Sequence, residues 1–167
     1  MTHGEWSNHI LVRLSLATGK NPVHTRTSRG SRSLDKGAEF AIKLPAKASN
    51  IATMRRFLAH ALVLCDSTTH EGEAALVLSE LLSNALEYGA SAVLSVVLRV
   101  EVDRLTIEVA DESPNEPRLR DPGSGRNGRG LRIVDGVADD WGWSFPDDGH
   151  KVVWAALDAE PARGAPR

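Results

Sequence analysis

The stretch from Glu71 to Gly89 constrains the fold of this chain most, because it predicts a long amphipathic helix. It contains no proline and is rich in strong helix formers, and its terminal glycine suits a left-handed C-cap. At about 100° per residue, its apolar side chains fall on one broad arc that must be buried. They are Ala74, Val77, Leu78, Leu81, Leu82, Ala85 and Leu86.

Three polar side chains run along one border of that arc. Glu80, Asn84 and Tyr88 follow one another at intervals of about one helical turn. They lie at the boundary between core and solvent, where a ligand can reach them. On periodicity alone, Glu80 and Asn84 are also explained as ordinary polar residues that border a core stripe. The rest of the chain must decide between this explanation and a ligand-binding role.

Composition excludes several classes of protein. The chain has 20 basic and 22 acidic residues, which argues against binding nucleic acid through bulk charge. No apolar run approaches the roughly 18 residues of a membrane helix. The single cysteine, Cys65, has no internal disulfide partner, which fits a reducing cytoplasm. We therefore expect a cytoplasmic protein without membrane or direct nucleic-acid partners.

The chain divides into three parts. Residues 1–37 carry six basic and two acidic side chains among Gly, Ser, Thr and Asn without periodicity, which predicts a disordered basic extension. Residues 38–158 form one predicted domain, and residues 159–167 form a flexible tail rich in Pro, Gly and Ala.

Within the domain, the patterns predict an α+β fold. A strand that Pro45 ends, expected at a sheet edge, is followed by two helices, a hairpin, a glycine-rich lid, a short helix and a second hairpin. The turn at Asp103 joins the first hairpin. We expect a two-layer α/β sandwich, in which a mixed, mostly antiparallel sheet of about five strands carries helices on one face.

The lid, residues 121–130, contains an accidental match to a dinucleotide motif. Gly123, Gly125 and Gly128 fit G-x-G-x-x-G, but that motif must directly follow a buried strand, and Pro122 and the preceding loop exclude this geometry. The free amides from Gly128 to Leu131, at the start of the short helix, would instead point at an anion such as phosphate.

Three motifs in order carry a resemblance to a known family. They are Glu80-x-x-x-Asn84-Ala85, Asp111 at a strand end, and Gly128-Arg129-Gly130-Leu131. Together they resemble the ATP-binding fold of histidine kinases, gyrase and the anti-sigma-factor serine/threonine kinases, in particular the small single-domain actinobacterial kinases. The resemblance covers about residues 38–158.

The resemblance implies ATP and Mg²⁺ as cofactors. It implies that Glu80 is the catalytic base, that Asn84 is the Mg²⁺ ligand, and that Asp111 accepts the exocyclic amine of adenine. The implied cofactor-binding residues are Asn84, Asp111, Gly125, Gly128, Arg129, Gly130 and Leu131. One departure bears on adenine binding: the family often has Asp-x-Gly-x-Gly, whereas here Asp111 precedes Glu112-Ser113-Pro114, and the prolines stiffen the loop.

The implied function is a protein serine/threonine kinase that phosphorylates an anti-sigma antagonist and binds a sigma factor, and so controls transcription. Arg55 and Arg56, on the outer face of the first helix, are candidate contacts to an acidic partner. One alternative is a non-catalytic ATP-dependent module that sequesters a sigma factor or another regulator. Another is the catalytic domain of a histidine kinase, although residues 1–37 offer no dimerising helical hairpin. The sequence leaves association of two copies open.

Overall fold

The computed structural model describes residues 13–16, 37–89, 91–118, 129–146 and 149–159. Within them, the helices and strands follow in the predicted order, after one strand that was not predicted. The elements are β1 (Arg13–Leu16), β2 (Ala38–Pro45), α1 (Ser49–Leu64), α2 (Glu71–Tyr88), β3 (Val93–Val100), β4 (Arg104–Asp111), α3 (Gly130–Val137), β5 (Asp140–Ser144) and β6 (Lys151–Asp158).

The strands form one sheet in the order β1-β2-β3-β4-β6-β5, and every pair of neighbouring strands described is antiparallel. Both predicted hairpins are present, as β3 with β4 and β5 with β6. The α+β sandwich is therefore confirmed, with six strands in the described residues where the sequence predicted about five.

The additional strand is β1, which lies inside the segment expected to be disordered. It pairs along its length with Ala38–Ala41 of β2. The expectation that β2 is an edge strand is therefore wrong for its first half, whereas its second half pairs only with β3 among the described strands. The rest of the basic extension and the tail from residue 160 lie outside the described residues.

The helices cover one face of the sheet because alternate strand residues are apolar. On β3 and β4, every second side chain from Leu94 to Val100 and from Leu105 to Val109 is buried against α1 and α2. Leu78 and Leu82 of α2 lie at the centre of this core. The predicted apolar arc of α2 is thus the face that packs on the sheet. No helix in the described part of the chain has both the length and the apolarity to cross a membrane.

Candidate functional site

The site is built around the polar border of α2. Glu80 and Asn84 are both half-buried and project from the helix one turn apart. Asn84 Nδ2 is buried and has no hydrogen-bond partner among the described residues. A buried polar group without a partner is costly and uncommon, so this carboxamide is available to a ligand.

Gly130, the first residue of α3, lies directly against these two side chains. A Cβ atom on Gly130 would be 2.9 Å from Glu80 Oε2 and 3.0 Å from Asn84 Oδ1. A side chain at this position would force the ends of the Glu80 and Asn84 side chains to shift. The glycine therefore allows the start of α3 to approach the carboxylate and the carboxamide together.

The start of α3 presents backbone donors to the same region. The first internal bond of the helix joins the amide of Ile133 to the carbonyl of Arg129, so the amides of the first turn before Ile133 have no partner within the helix. Unpaired amides and the positive end of the helix dipole favour an anion there.

Burial raises the pKa of the Glu80 carboxyl above its ordinary value, because desolvation disfavours the ionised form. A carboxylate with a raised pKa is a stronger proton acceptor once it is ionised. This suits Glu80 to take a proton from a reacting hydroxyl.

Asp111 ends β4 and is only 2% exposed. Its Oδ1 accepts a hydrogen bond from the backbone N–H of Ser113 at 2.7 Å and lies 3.2 Å from Lys151 Nζ. Strand pairing places Lys151 directly across from Asp111, on the neighbouring β6. The carboxylate is therefore held in place from two sides.

Gly89 packs against Asp111, which corrects the expected reason for a glycine at this position. Its φ is −80°, so the predicted left-handed C-cap is wrong. A Cβ on Gly89 would lie 2.2 Å from the backbone oxygen of Ala85 in the same helix, 2.8 Å from Asp111 Cβ and 3.0 Å from Asp111 Cγ. The glycine therefore avoids a clash with the last turn of its own helix and also allows the close contact between the end of α2 and the end of β4.

A cleft of about 590 Å³ lies between α2, the loop after β4, the start of α3 and β6. Its size is typical of a small-molecule site. The described residues that line it are Leu81, Asn84, Ala85, Tyr88, Val109, Asp111, Ser113, Pro114, Asn115, Glu116, Pro117, Arg118, Gly130, Leu131, Lys151 and Val153. Helix, sheet and loop thus enclose one cleft with Asn84 and Asp111 in its wall.

Comparison with known families agrees with this geometry. Residues 44–157 match the sequence profile of the histidine kinase-like ATPase domain. The chain belongs to this family. Membership in an ATPase domain family implies that the protein binds ATP.

A solved structure shares the fold of this histidine kinase-like ATPase domain. It contains the RsbU and RsbW domains of Rv1364c from Mycobacterium tuberculosis and superposes with a TM-score of 0.53 at 17% sequence identity. The match covers 77% of this chain and 34% of the other, so the present chain spans about a third of that protein. A search among curated proteins found no match.

Most of the site residues expected from the sequence come together in this ATPase domain. Asn84, Asp111, Gly130 and Leu131 line the cleft, and Glu80 adjoins it beneath Gly130. Arg129 is exposed and does not belong to the lining.

Other expected site residues cannot be placed in the cleft. Gly125 and Gly128 lie outside the described residues, as does most of the lid.

Sequence reasoning missed five polar residues of the cleft as site residues: Ser113, Asn115, Glu116, Arg118 and Lys151. Ser113 was considered only as part of a departure from the family pattern, yet its backbone amide holds Asp111. The sequence offered one signal for Lys151: a lysine begins an otherwise apolar strand, and lysine is an unusual residue at a buried position.

Proposed function

We propose that this protein is a Mg²⁺- and ATP-dependent protein serine/threonine kinase of the anti-sigma type. It would phosphorylate an anti-sigma antagonist in a partner-switching system that controls transcription in the cytoplasm. The observation that carries the proposal is the convergence of Glu80 and Asn84 beneath Gly130, beside a cleft that also contains Asp111. Similarity to a structure that contains an RsbW domain supports the same assignment.

Glu80 is the proposed general base. In this role it accepts the proton of a serine or threonine hydroxyl as that oxygen attacks the terminal phosphate. The proton moves to the carboxylate of Glu80, the new bond forms between the hydroxyl oxygen and phosphorus, and ADP leaves. The desolvation that raises the pKa of Glu80 strengthens it as an acceptor.

The residues present fit a magnesium ion. Mg²⁺ prefers oxygen ligands and usually keeps few protein ligands beside phosphate oxygens and water. The carboxamide oxygen of Asn84 would supply one such ligand, because rotation of the carboxamide exchanges it with the buried Nδ2, which has no partner among the described residues. Bound Mg²⁺ neutralises phosphate charge during transfer.

The remaining roles follow from position in the cleft. Asp111 would accept the exocyclic amine of adenine, a role for which an ionised carboxylate offers only acceptors. The backbone at Gly130 and Leu131 would contact phosphate oxygens, with Gly125, Gly128 and Arg129 as further candidates. The partner surface would include the exposed Arg55 and Arg56 of α1, which suit an acidic protein.

Phosphate transfer tests the proposal directly. The protein is incubated with labelled ATP, Mg²⁺ and the antagonist encoded by the same organism, and transfer is compared for the wild type, Glu80→Ala and Glu87→Ala. Glu87 lies on the same helix but is exposed, so it is the matched control. We expect Glu80→Ala to lose about 10²- to 10⁴-fold in rate, and Glu87→Ala to match the wild type.

Each other outcome has a definite meaning. Transfer by Glu80→Ala at the wild-type rate shows that the base is assigned wrongly. ATP binding without transfer to any antagonist indicates a binding module that sequesters a sigma factor or another regulator. Transfer to a histidine of a partner indicates a histidine kinase.

A further inference from the structure

The ion pair between Lys151 and Asp111 is unusual because both partners are buried. Lys151 is 5% exposed and Asp111 is 2% exposed, and Nζ lies 3.2 Å from Oδ1. Lysine is almost never buried to this degree unless it is paired, because removing an ammonium from water is costly.

Stability does not account for this lysine. Buried ion pairs are often no more stabilising than apolar residues of the same size, because desolvation offsets their attraction. The Asp111 carboxylate also already accepts a bond from the backbone N–H of Ser113. A strand residue facing the helices would be expected to be apolar, as Val153 and Ala155 are on the same strand.

The position of the pair indicates a ligand. Both Lys151 and Asp111 line the cleft, so the ammonium and the carboxylate lie side by side in its wall. An ammonium group has three N–H donors, and the contact with Asp111 Oδ1 uses one of them. The pair therefore offers the cleft an acceptor next to a donor.

The Watson–Crick edge of adenine has the complementary pattern. Its 6-amino group is a donor, and the adjacent ring nitrogen N1 is an acceptor. We propose that Lys151 is a base-reading residue, whose ammonium donates to N1 of adenine while Asp111 accepts from the 6-amino group. This inference rests on the proposed function, since it assumes that the base of ATP occupies this end of the cleft.

The arrangement also predicts discrimination against guanine. Guanine carries an oxygen acceptor at C6 and a donor at N1, which is the reverse order. Placed as adenine is placed, its oxygen would face the Asp111 carboxylate and its N1–H would face the ammonium. Unpaired buried polar groups of this kind give strong selectivity, so GTP should bind much more weakly than ATP.

Binding calorimetry with a modified nucleotide isolates the contact to N1. The analogue is 1-deaza-ATP, which keeps the 6-amino group and replaces N1 by C–H. Its affinity and those of ATP and GTP are measured in the presence of Mg²⁺ on the wild type, on Lys151→Met and on Lys47→Met. Lys47 is an exposed lysine outside the cleft and is the matched control.

We expect the wild type and Lys47→Met to bind 1-deaza-ATP about 10- to 100-fold more weakly than ATP, as for a lost hydrogen bond to a charged group. Lys151→Met should bind the two nucleotides with equal affinity. Comparing two ligands on the same variant removes any general effect of the substitution on Asp111 or on the cleft. If Lys151→Met does not fold, Lys151→Met combined with Asp111→Asn leaves no unpaired buried charge and replaces it.

Three results would overturn the inference while leaving ATP binding intact. They are equal affinity of the wild type for both nucleotides, undiminished discrimination in the Lys151 variant, and wild-type affinity for GTP equal to or above that for ATP. Absence of ATP binding by the wild type is a different result, because it contradicts the proposed function itself. The two failures are therefore distinguishable in one experiment.

Discussion

Gly130→Ala should reduce the activity of this protein without reducing its stability. The added Cβ would lie 2.9 Å from Glu80 Oε2 and 3.0 Å from Asn84 Oδ1, whereas ordinary contacts begin at 3.4 Å. The two oxygens must therefore move by at least 0.5 Å (3.4 − 2.9) and 0.4 Å (3.4 − 3.0), or α3 must shift by a similar distance. Both movements displace groups proposed to act on the phosphates.

The substitution should weaken function but leave stability nearly unchanged. A displacement of about 1 Å in a reacting geometry can cost roughly 100-fold in rate, so half that displacement should cost about tenfold. Alanine is a better helix former than glycine by up to about 1 kcal/mol, which offsets part or all of the strain at the start of α3. We therefore expect a folded variant of near wild-type stability with weakened Mg²⁺-ATP binding and at least tenfold slower phosphate transfer.

Gly136→Ala is the matched control, because Gly136 lies in the same short helix and a Cβ there would contact nothing within 4 Å. Gly136→Ala should stabilise α3 by up to about 1 kcal/mol, the difference in helix propensity, and leave nucleotide binding unchanged. The assays are thermal unfolding, calorimetric titration with ATP and Mg²⁺, and phosphate transfer to the antagonist. If Gly130→Ala binds and transfers as well as Gly136→Ala, the close approach of α3 to Glu80 and Asn84 has no functional role.

Three further substitutions test the site. Because burial raises the pKa of Glu80, the stability of the wild type should decrease as pH rises from the unfolded to the folded pKa of this carboxyl. Glu80→Gln should therefore raise Tm at pH 7, and the gain should shrink towards about pH 4. A Tm difference independent of pH would contradict this prediction. Asn84→Ala should abolish the Mg²⁺ enhancement of ATP binding in calorimetry yet change unfolding free energy by less than about 1 kcal/mol, since Asn84 Nδ2 has no partner to lose among the described residues. Retained Mg²⁺ dependence would remove Asn84 as a ligand. Gly89→Ala should cost about 1–3 kcal/mol in urea unfolding, because the added Cβ would meet the backbone oxygen of Ala85 and Asp111 Cβ, and it should weaken ATP binding by displacing Asp111. An unchanged unfolding midpoint would show that both contacts relax.

The local patterns predicted the elements well where one face of an element is buried. The apolar arc of α2 and the alternation in β4 each give a period that only one regular structure satisfies, and both elements occur as predicted. The short strand β1 was not predicted, because it lies in a segment whose composition favours disorder, and it is identified by its backbone pairing with β2.

The motif residues of the site were identifiable from the sequence, but their environment was not. Spacing along a single helix brings Glu80 and Asn84 together, so their proximity is a local property. Pairing across strands decides that Lys151 lies opposite Asp111, and no local pattern contains that register.

The amino-acid sequence by itself determined the helix that carries Glu80 and Asn84, the hairpin that delivers Asp111, and the family resemblance. Only the tertiary structure decided that other elements approach Gly130 and Gly89 closely, and that a buried ammonium lies beside Asp111. The physical reason is the separation along the chain of the residues that determine each feature. Helix and strand periods depend on residues a few positions apart, whereas contacts among α2, α3, β4 and β6 join residues far apart in the chain and exist only after the layers have packed.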